Sequence, residues 1–495
     1  MVNWFCNFIR PARSLIPFET ESLLNLSPRP VGGEVAVSAA GEGGSKSGCG
    51  STFVTQPASP FESVNASVQK LHAWDDFFDW LEAATPQGRL FGVSCRPFVR
   101  NADRHVHSPT VFKASAMLNS RLTLCLVLLS VPEIVAAQSP ARQVPDVSQQ
   151  ALDIHHSGML FDGHNDLPWQ MKQKGQSSFE FLDISKPQPT LHTDIARLRA
   201  GGVKAQFWSV YVSADTDTTG DALLQTMEQI DVVHRMIRRY PETFELADTA
   251  GDIERIVAAG RVASMLGIEG GYSIQESLPI LRRLYGLGCR YMTLTHSKSL
   301  SWADSATDEP RTKNGLSPFG EEVVAEMNRL GMLIDLSHVS VATMKRSLEV
   351  SKAPVIFSHS SARSINDHAR NVNDEVLRLT AANGGVVMVN FYSGFVTPTE
   401  QLKKDSKDLG TLSDVVDHIE HIIRVAGIDH VGIGSDFDGV PRLPVGLEDV
   451  STYPRITQEL LSRGHNREAI HKLLGGNVMR VLREAEEVAA SLKAS

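Results

Sequence analysis

The chain has 495 residues, 42% of them hydrophobic, 21% charged and 7% aromatic, a composition that excludes disordered, collagen-like and wholly membrane-embedded classes. Lys and Arg number 48 against 57 Asp and Glu, so the net charge is -9 and no basic cluster offers a nucleic-acid footprint. No CxxC pair occurs among the 5 cysteines, which excludes cysteine zinc sites, whereas the 17 histidines invite a search for imidazole ligands.

Residues 1–116 read as a low-order extension. The stretch 32–51 is rich in Gly and Ser, and Val68, Leu71, Trp74, Phe78 and Leu81 mark one short amphipathic helix. Next come Met117 and Arg121, an apolar run from Leu122 to Val131, and the small residues Val135-Ala136-Ala137. A charged start, a short apolar core and an Ala-x-Ala-like end compose a secretory signal peptide over 117–137. The simplest expectation makes Met117 the true start and 1–116 an over-extended gene product. The rival is a signal anchor, with membrane association through 122–137, although Pro132 and Glu133 leave it shorter than the ~20 apolar residues of a span. Either way the chain enters the secretory pathway, to be secreted or membrane-anchored. A polar linker occupies 138–150, and Glu484–Ser495 shows no apolar tail of the GPI type.

From residue 151 the pattern changes. Short apolar runs at 158–161, 203–212, 263–268, 290–295, 332–336, 354–357, 386–391 and 430–434 alternate with helical patterns. The helices are predicted at 193–200, 222–240, 279–286, 318–330, 341–349, 374–382 and 412–425. Strands alternating with helices make a parallel sheet, and eight repeats predict a (β/α)8 TIM-like barrel of the metal-dependent hydrolase type over 151–495. A doubly wound nucleotide-binding sheet is disfavoured, since no GxGxxG or GxxxxGK[ST] comes after the first run.

The residues just past each run carry the chemistry. The first run leads into His164 and Asp166, the third into Glu269, the fourth into His296, the fifth into His338, the sixth into His359, and the last into Asp436. In a barrel those strand ends open on one face, where active sites lie. A lone His after a strand is commonly a loop residue or helix cap; six such endings argue for convergence. Imidazoles and carboxylates without thiolates suit Zn2+. His164 and Asp166 can hold one ion, His338 and His359 a second, and Glu269 bridges them. Two ions about 3.5–4 Å apart activate a bridging hydroxide, with Asp436 moving its proton to the leaving group. The residues thus read as a binuclear metallohydrolase.

The segments FDGHNDLPW (161–169), GIEGG (267–271), MTLTHS (292–297), SWAD (301–304), IDLSHVS (334–340), PVIFSHSSAR (354–363), RNVND (370–374) and GIGSDFDG (432–439) resemble the membrane dipeptidase (renal dipeptidase) family of the amidohydrolase superfamily, a fungal-type member included. The resemblance covers about 152–485 in the family's order. It implies a zinc-dependent dipeptidase with two Zn2+ per chain, bridged by Glu269 and held by His164, Asp166, His338 and His359. It further implies that His296 contacts the scissile carbonyl and that Arg370 pairs with the substrate's C-terminal carboxylate. Asp436 becomes the proton shuttle. Substrates are expected to be L-Xaa-L/D-Xaa dipeptides, the Cys-Gly type among them, with Asp304 a candidate contact for the free amino group.

Departures from the family are also legible. Only Cys289 falls in the barrel region, so a homodimer would be non-covalent or use that residue alone. The sequons at Asn25 and Asn65 lie upstream of the barrel. His155, His156, His418, His421 and His430 are read as loop, surface or packing residues, Asp438 as a turn residue holding Asp436, and Asp162 as support for His164 or a solvated side chain. The GGNVMR segment (475–480) is read as a helix-packing feature. An amidohydrolase-type barrel acting on a cyclic amide or lactone is the alternative, disfavoured because such barrels carry His-x-His where this chain has His164-x-Asp166. A non-catalytic scaffold would be expected to have lost a ligand.

Overall fold

The computed structural model describes residues 146–309 and 314–494. The 1–116 extension, the 117–137 segment and most of the linker lie outside them. Nine parallel strands occur there: β1 Leu160–Asn165, β2 Val203–Tyr211, β3 Phe244–Leu246, β4 Val262–Glu269, β5 Cys289–Thr293, β6 Leu333–Asp335, β7 Ile356–Phe357, β8 Val386–Val389 and β9 Val431–Ile433. Pairings run β1-β2-β4-β5-β6-β7-β8-β9 and return from β9 to β1, closing an eight-stranded barrel. The extra strand β3 pairs with Val262–Ser264 at the start of β4, while β5 takes over from Leu266 onward.

All eight apolar runs lie on barrel strands. Strand β1 continues further than its apolar run, through Asp162-Gly-His-Asn165, because hydrogen bonds rather than apolarity bury those side chains. The sequence reading passes over β3, three residues without a period to detect, and the helix Ala250–Ala258 behind it. Helix Gln149–Ser157 is also new, and it carries His155 and His156, which were expected in a loop.

The helices form where pattern and capping agree. In Pro318–Leu330 the Ser317 side chain accepts from the Gly320 N–H, Pro318 opens the first turn, and Gly331 closes the helix at φ 85°. Its Val323, Val324, Met327 and Leu330 face the barrel. Ser340 and Asn373 cap Val341–Val350 and Asp374–Asn383 in the same way. Phe161, Phe207, Met265, Tyr291, Leu333, Ile356 and Met388 belong to a buried cluster, each such apolar side chain contributing roughly 1.5–3 kcal/mol. Among the described residues no helix is long and apolar enough to cross a membrane.

Candidate metal centre

Strand alternation places the central carboxylate. On β4, Ala263, Met265, Gly267 and Glu269 share one face, and the first two join the cluster with Phe161 and Phe207. Glu269 is therefore the last inward side chain of its strand. His164 is the penultimate residue of β1, Asp166 comes just beyond the strand, and His359 comes two residues after β7. His296, His338 and Asp436 each come three residues after their strands. His338 and Asp436 have φ of 67° and 65°, left-handed conformations that cost on the order of 1 kcal/mol or more each and recur at functional sites.

These residues converge. His164 Nε2 lies 3.1 Å from Asp166 Oδ2 and 3.4 Å from Glu269 Oε2. The other oxygen, Glu269 Oε1, is 3.0 Å from His338 Nε2, 3.4 Å from His359 Nε2 and 3.6 Å from His296 Nε2. His338 and His359 bring their Nε2 atoms to 2.9 Å of each other. The donors form three overlapping groups: His164, Glu269 and His359; Glu269, His296 and His338; His164, Asp166 and Asp436. Every sequence-predicted ligand is in one of them, and His296 stands among the donors as well as on the substrate side.

The electrostatics suit a cation. Burial opposes ionisation of Glu269, but His164 and bonds from His164, His338 and His359 outweigh it and hold the carboxyl well below the usual carboxylate range. Burial, reinforced by Arg370, pushes His338 well below the ordinary histidine value, and burial with His164 does the same to His359. His338 and His359 are thus neutral beside an ionised carboxylate, as a divalent ion requires of its ligands. At His164 burial is outweighed by Tyr291, Asp166 and Glu269, which raise it well above the ordinary histidine value, so a cation there would take the place of its proton. His164 Nε2 faces the Asp166 and Glu269 oxygens without a well-aligned hydrogen bond to either, which leaves that nitrogen open to a cation. The donor set therefore fits a metal.

Arg370 is buried; burial lowers its pKa to about 10, so it stays cationic at neutral pH. Its Nη atoms donate to Ser360 Oγ and the His359 carbonyl at 3.3 and 3.2 Å, and its guanidinium lies over Phe395. Nε has no partner. Burial, with Asp166 and Glu269 adding repulsion, raises Asp436 well above the usual carboxylate value, and Asn390 Nδ2 donates to its Oδ2 at 2.7 Å. Asn390 escaped sequence reading although it too lies just past a strand end, because an amide carries no titratable signal. Ser209 donates to Glu269 Oε2 at 3.1 Å and the Tyr211 ring packs at a tilt against His296; both were missed because they sit within an otherwise apolar run.

Other predicted roles resolve into structure. Asp162 is fully buried rather than solvated: it accepts from Ser435 N and Oγ and from the Tyr453 hydroxyl, tying β1 to the end of β9. Asp438 Oδ1 accepts from the His192 N–H, anchoring the 186–194 loop. Asp304 is buried with Oδ2 accepting from the Gly315 N–H, which directs it to its own loop. His155 bridges Thr457 and Gly201, and His418 bridges Ala362 and Val396, as packing residues. Cys289 is a buried free thiol, and burial pushes its pKa up to about 12.

Comparison with known proteins places this barrel among dipeptidases. The crystal structure of the probable dipeptidase PvdM from Pseudomonas aeruginosa is similar at 24% identity and TM-score 0.63, covering 69% of this chain and 98% of that one. A metallo peptidase from Rhodobacter sphaeroides, liganded with a phosphinate mimic of the dipeptide L-Ala-D-Ala, matches at 25% identity and TM-score 0.59, covering 66% and 99%. The dipeptidase AC, a metallo peptidase, matches at 25% and 0.60, covering 66% and 98%. Residues 148–495 match the profile described as Membrane dipeptidase (Peptidase family M19). The chain thus belongs to the membrane dipeptidase family, and is a metallo-dipeptidase with candidate metal-binding side chains gathered at the C-terminal mouth of a (β/α)8 barrel.

Proposed function

We propose that the chain is a zinc-dependent dipeptidase that binds two ions, through His164 and Asp166 on one side and His338 and His359 on the other, with Glu269 between them. The observation that carries this reading is Glu269 itself, one oxygen toward His164 and the other toward His338 and His359. Bound ions of this kind supply an activated water and polarise the scissile carbonyl. The chain's own residues do the rest. The planar fork of Arg370 suits a C-terminal carboxylate, and a carboxylate held there would limit the substrate to one residue beyond the scissile bond. Neutral His296, its Nδ1 without a protein partner, stands to donate to the oxyanion. Asp436, raised by burial well above the usual carboxylate value, is placed to accept the water's proton and return it to the leaving amine. The 117–137 segment supports entry into the secretory route.

The test is zinc content measured together with Gly-Leu and Cys-Gly hydrolysis on the full-length chain, beside Glu269→Gln. Near two zinc per chain with hydrolysis, both lost in the variant, is expected. Zinc bound without hydrolysis of any dipeptide would sink the substrate assignment.

A further inference from the structure

The far sides of two ligand histidines are held by groups that the proposed reaction does not use. His164 presents Nε2 to Asp166 and Glu269, and its Nδ1 lies 2.7 Å from the Tyr291 hydroxyl. Tyr291 is fully buried inside the barrel, and its ring occupies space that exists only because residue 267 is glycine: a Cβ there would sit 2.0 Å from Tyr291 Cζ. His359 presents Nε2 to Glu269, and its Nδ1 lies 2.7 Å from Ser358 Oγ. That hydroxyl donates to Asp335 Oδ2 at 2.7 Å. Asp335 is itself fixed by four donors: Thr293 Oγ1 at 2.5 Å, the N–H groups of Ser337 and Ser358 at 3.1 and 2.8 Å, and Ser358 Oγ.

A hydroxyl has one proton to give. Because Ser358 spends its proton on Asp335, it can only accept from His359, so the His359 proton sits on Nδ1 and the Nε2 lone pair faces the centre. Tyr291 offers His164 the matching contact: with Nδ1–H donating to the phenol oxygen, Nε2 is left as the donor atom for a cation. We infer that Tyr291 and the Ser358–Asp335 pair are positioning residues that set the tautomer and ring orientation of His164 and His359, one group for each side of Glu269. The two sides are not equivalent. His359 leans through a serine on a buried carboxylate, whereas His164 leans on a phenol. The inference rests on the proposed metal centre.

The test is zinc affinity by chelator competition on full-length wild type, Tyr291→Phe, Ser358→Ala and Asp335→Asn, with thermal unfolding of each metal-free protein. Removing such support weakens metal binding typically by 10–100-fold. Each variant is expected to lose that much affinity for one of the two ions while keeping the other near wild type. Ser358→Thr, which retains the hydroxyl, is expected to recover affinity where Ser358→Ala does not. Wild-type affinities in Tyr291→Phe and Ser358→Ala, with only the metal-free unfolding temperature lowered, would reduce these residues to packing and overturn the inference. Absence of zinc uptake by the wild type itself would instead overturn the metal centre, and the two failures are separate.

Discussion

Asp436 and Arg370 are both buried ionisable groups at the mouth, yet they answer to different parts of catalysis. Asp436→Asn keeps the shape and the Asn390 contact while removing the basic oxygen, so kcat is expected to fall by roughly 10²–10⁴ with zinc content unchanged. Metal analysis beside steady-state kinetics checks this; an undiminished kcat would remove Asp436 from proton transfer. Arg370→Lys keeps the charge but loses the planar fork, and a carboxylate-binding role predicts about a 10–100-fold fall in kcat/KM carried mainly by KM. Away from the site, His155 and His418 are lowered by burial from 6.5 to about 4. In the unfolded chain they protonate near 6.5, so their contribution to stability is complete above that pH. It is lost as pH falls from 6.5 toward 4, by on the order of 3 kcal/mol for each. Urea midpoints at pH 7 and pH 5 should separate more in wild type than in His155→Gln; equal separations would contradict the assignment.

The closing segment of the barrel shows how one element is locked. GGNVMR was legible as a packing motif, and the structure gives its atoms. Gly475 lies so close to β1 that a Cβ would fall 2.1 Å from the Met159 carbonyl oxygen. Asn477 Nδ2 donates to the carbonyls of Ile428 and Val431 at 2.7 and 2.8 Å, and Arg480 donates to those of Gly384 and Asp429. The last helix, Asn477–Ala494, thus caps the strand beginnings opposite the metal centre. Asn477→Ala strands two carbonyls and is expected to cost about 1–3 kcal/mol. Gly475→Ala is expected to cost more, because backbone must move. Urea denaturation of both, with zinc affinity measured alongside, checks that the loss falls on stability alone; weakened zinc binding in Asn477→Ala would show the two ends of the barrel to be coupled.

At the scale of the molecule, the ligands belong to β1, β4, β6 and β7, far apart in sequence and adjacent only after closure. A metal that binds them binds the native state and not the unfolded chain, adding about 2.7 kcal/mol when free metal is a hundred times its Kd. Chelation is therefore expected to lower the unfolding temperature of wild type by a few degrees and to leave that of Glu269→Gln unchanged. Calorimetric scans with and without EDTA read this directly, and an unmoved wild type would mean that the donors do not hold an ion.

The eight strands and the chemistry at their ends were readable along the chain because burial in a parallel barrel imposes continuous apolar runs, and because His164, Glu269 and Asp436 break those runs at the same place each time. Residues whose role depends on a partner from another strand left no such mark. Tyr291 reads as one more apolar strand residue, Asp335 and Ser358 as strand-end polarity, and Asn390 as a loop amide. Strand closure sets Tyr291 against His164, 127 positions away, and Asn390 against Asp436, 46 away. Sequence by itself marked which side chains are the candidates for the chemistry, since composition and period act locally. Which nitrogen each histidine presents, and what holds it there, was decided only by the tertiary structure, because a hydrogen bond needs two groups within about 3 Å and that distance exists only in the closed barrel.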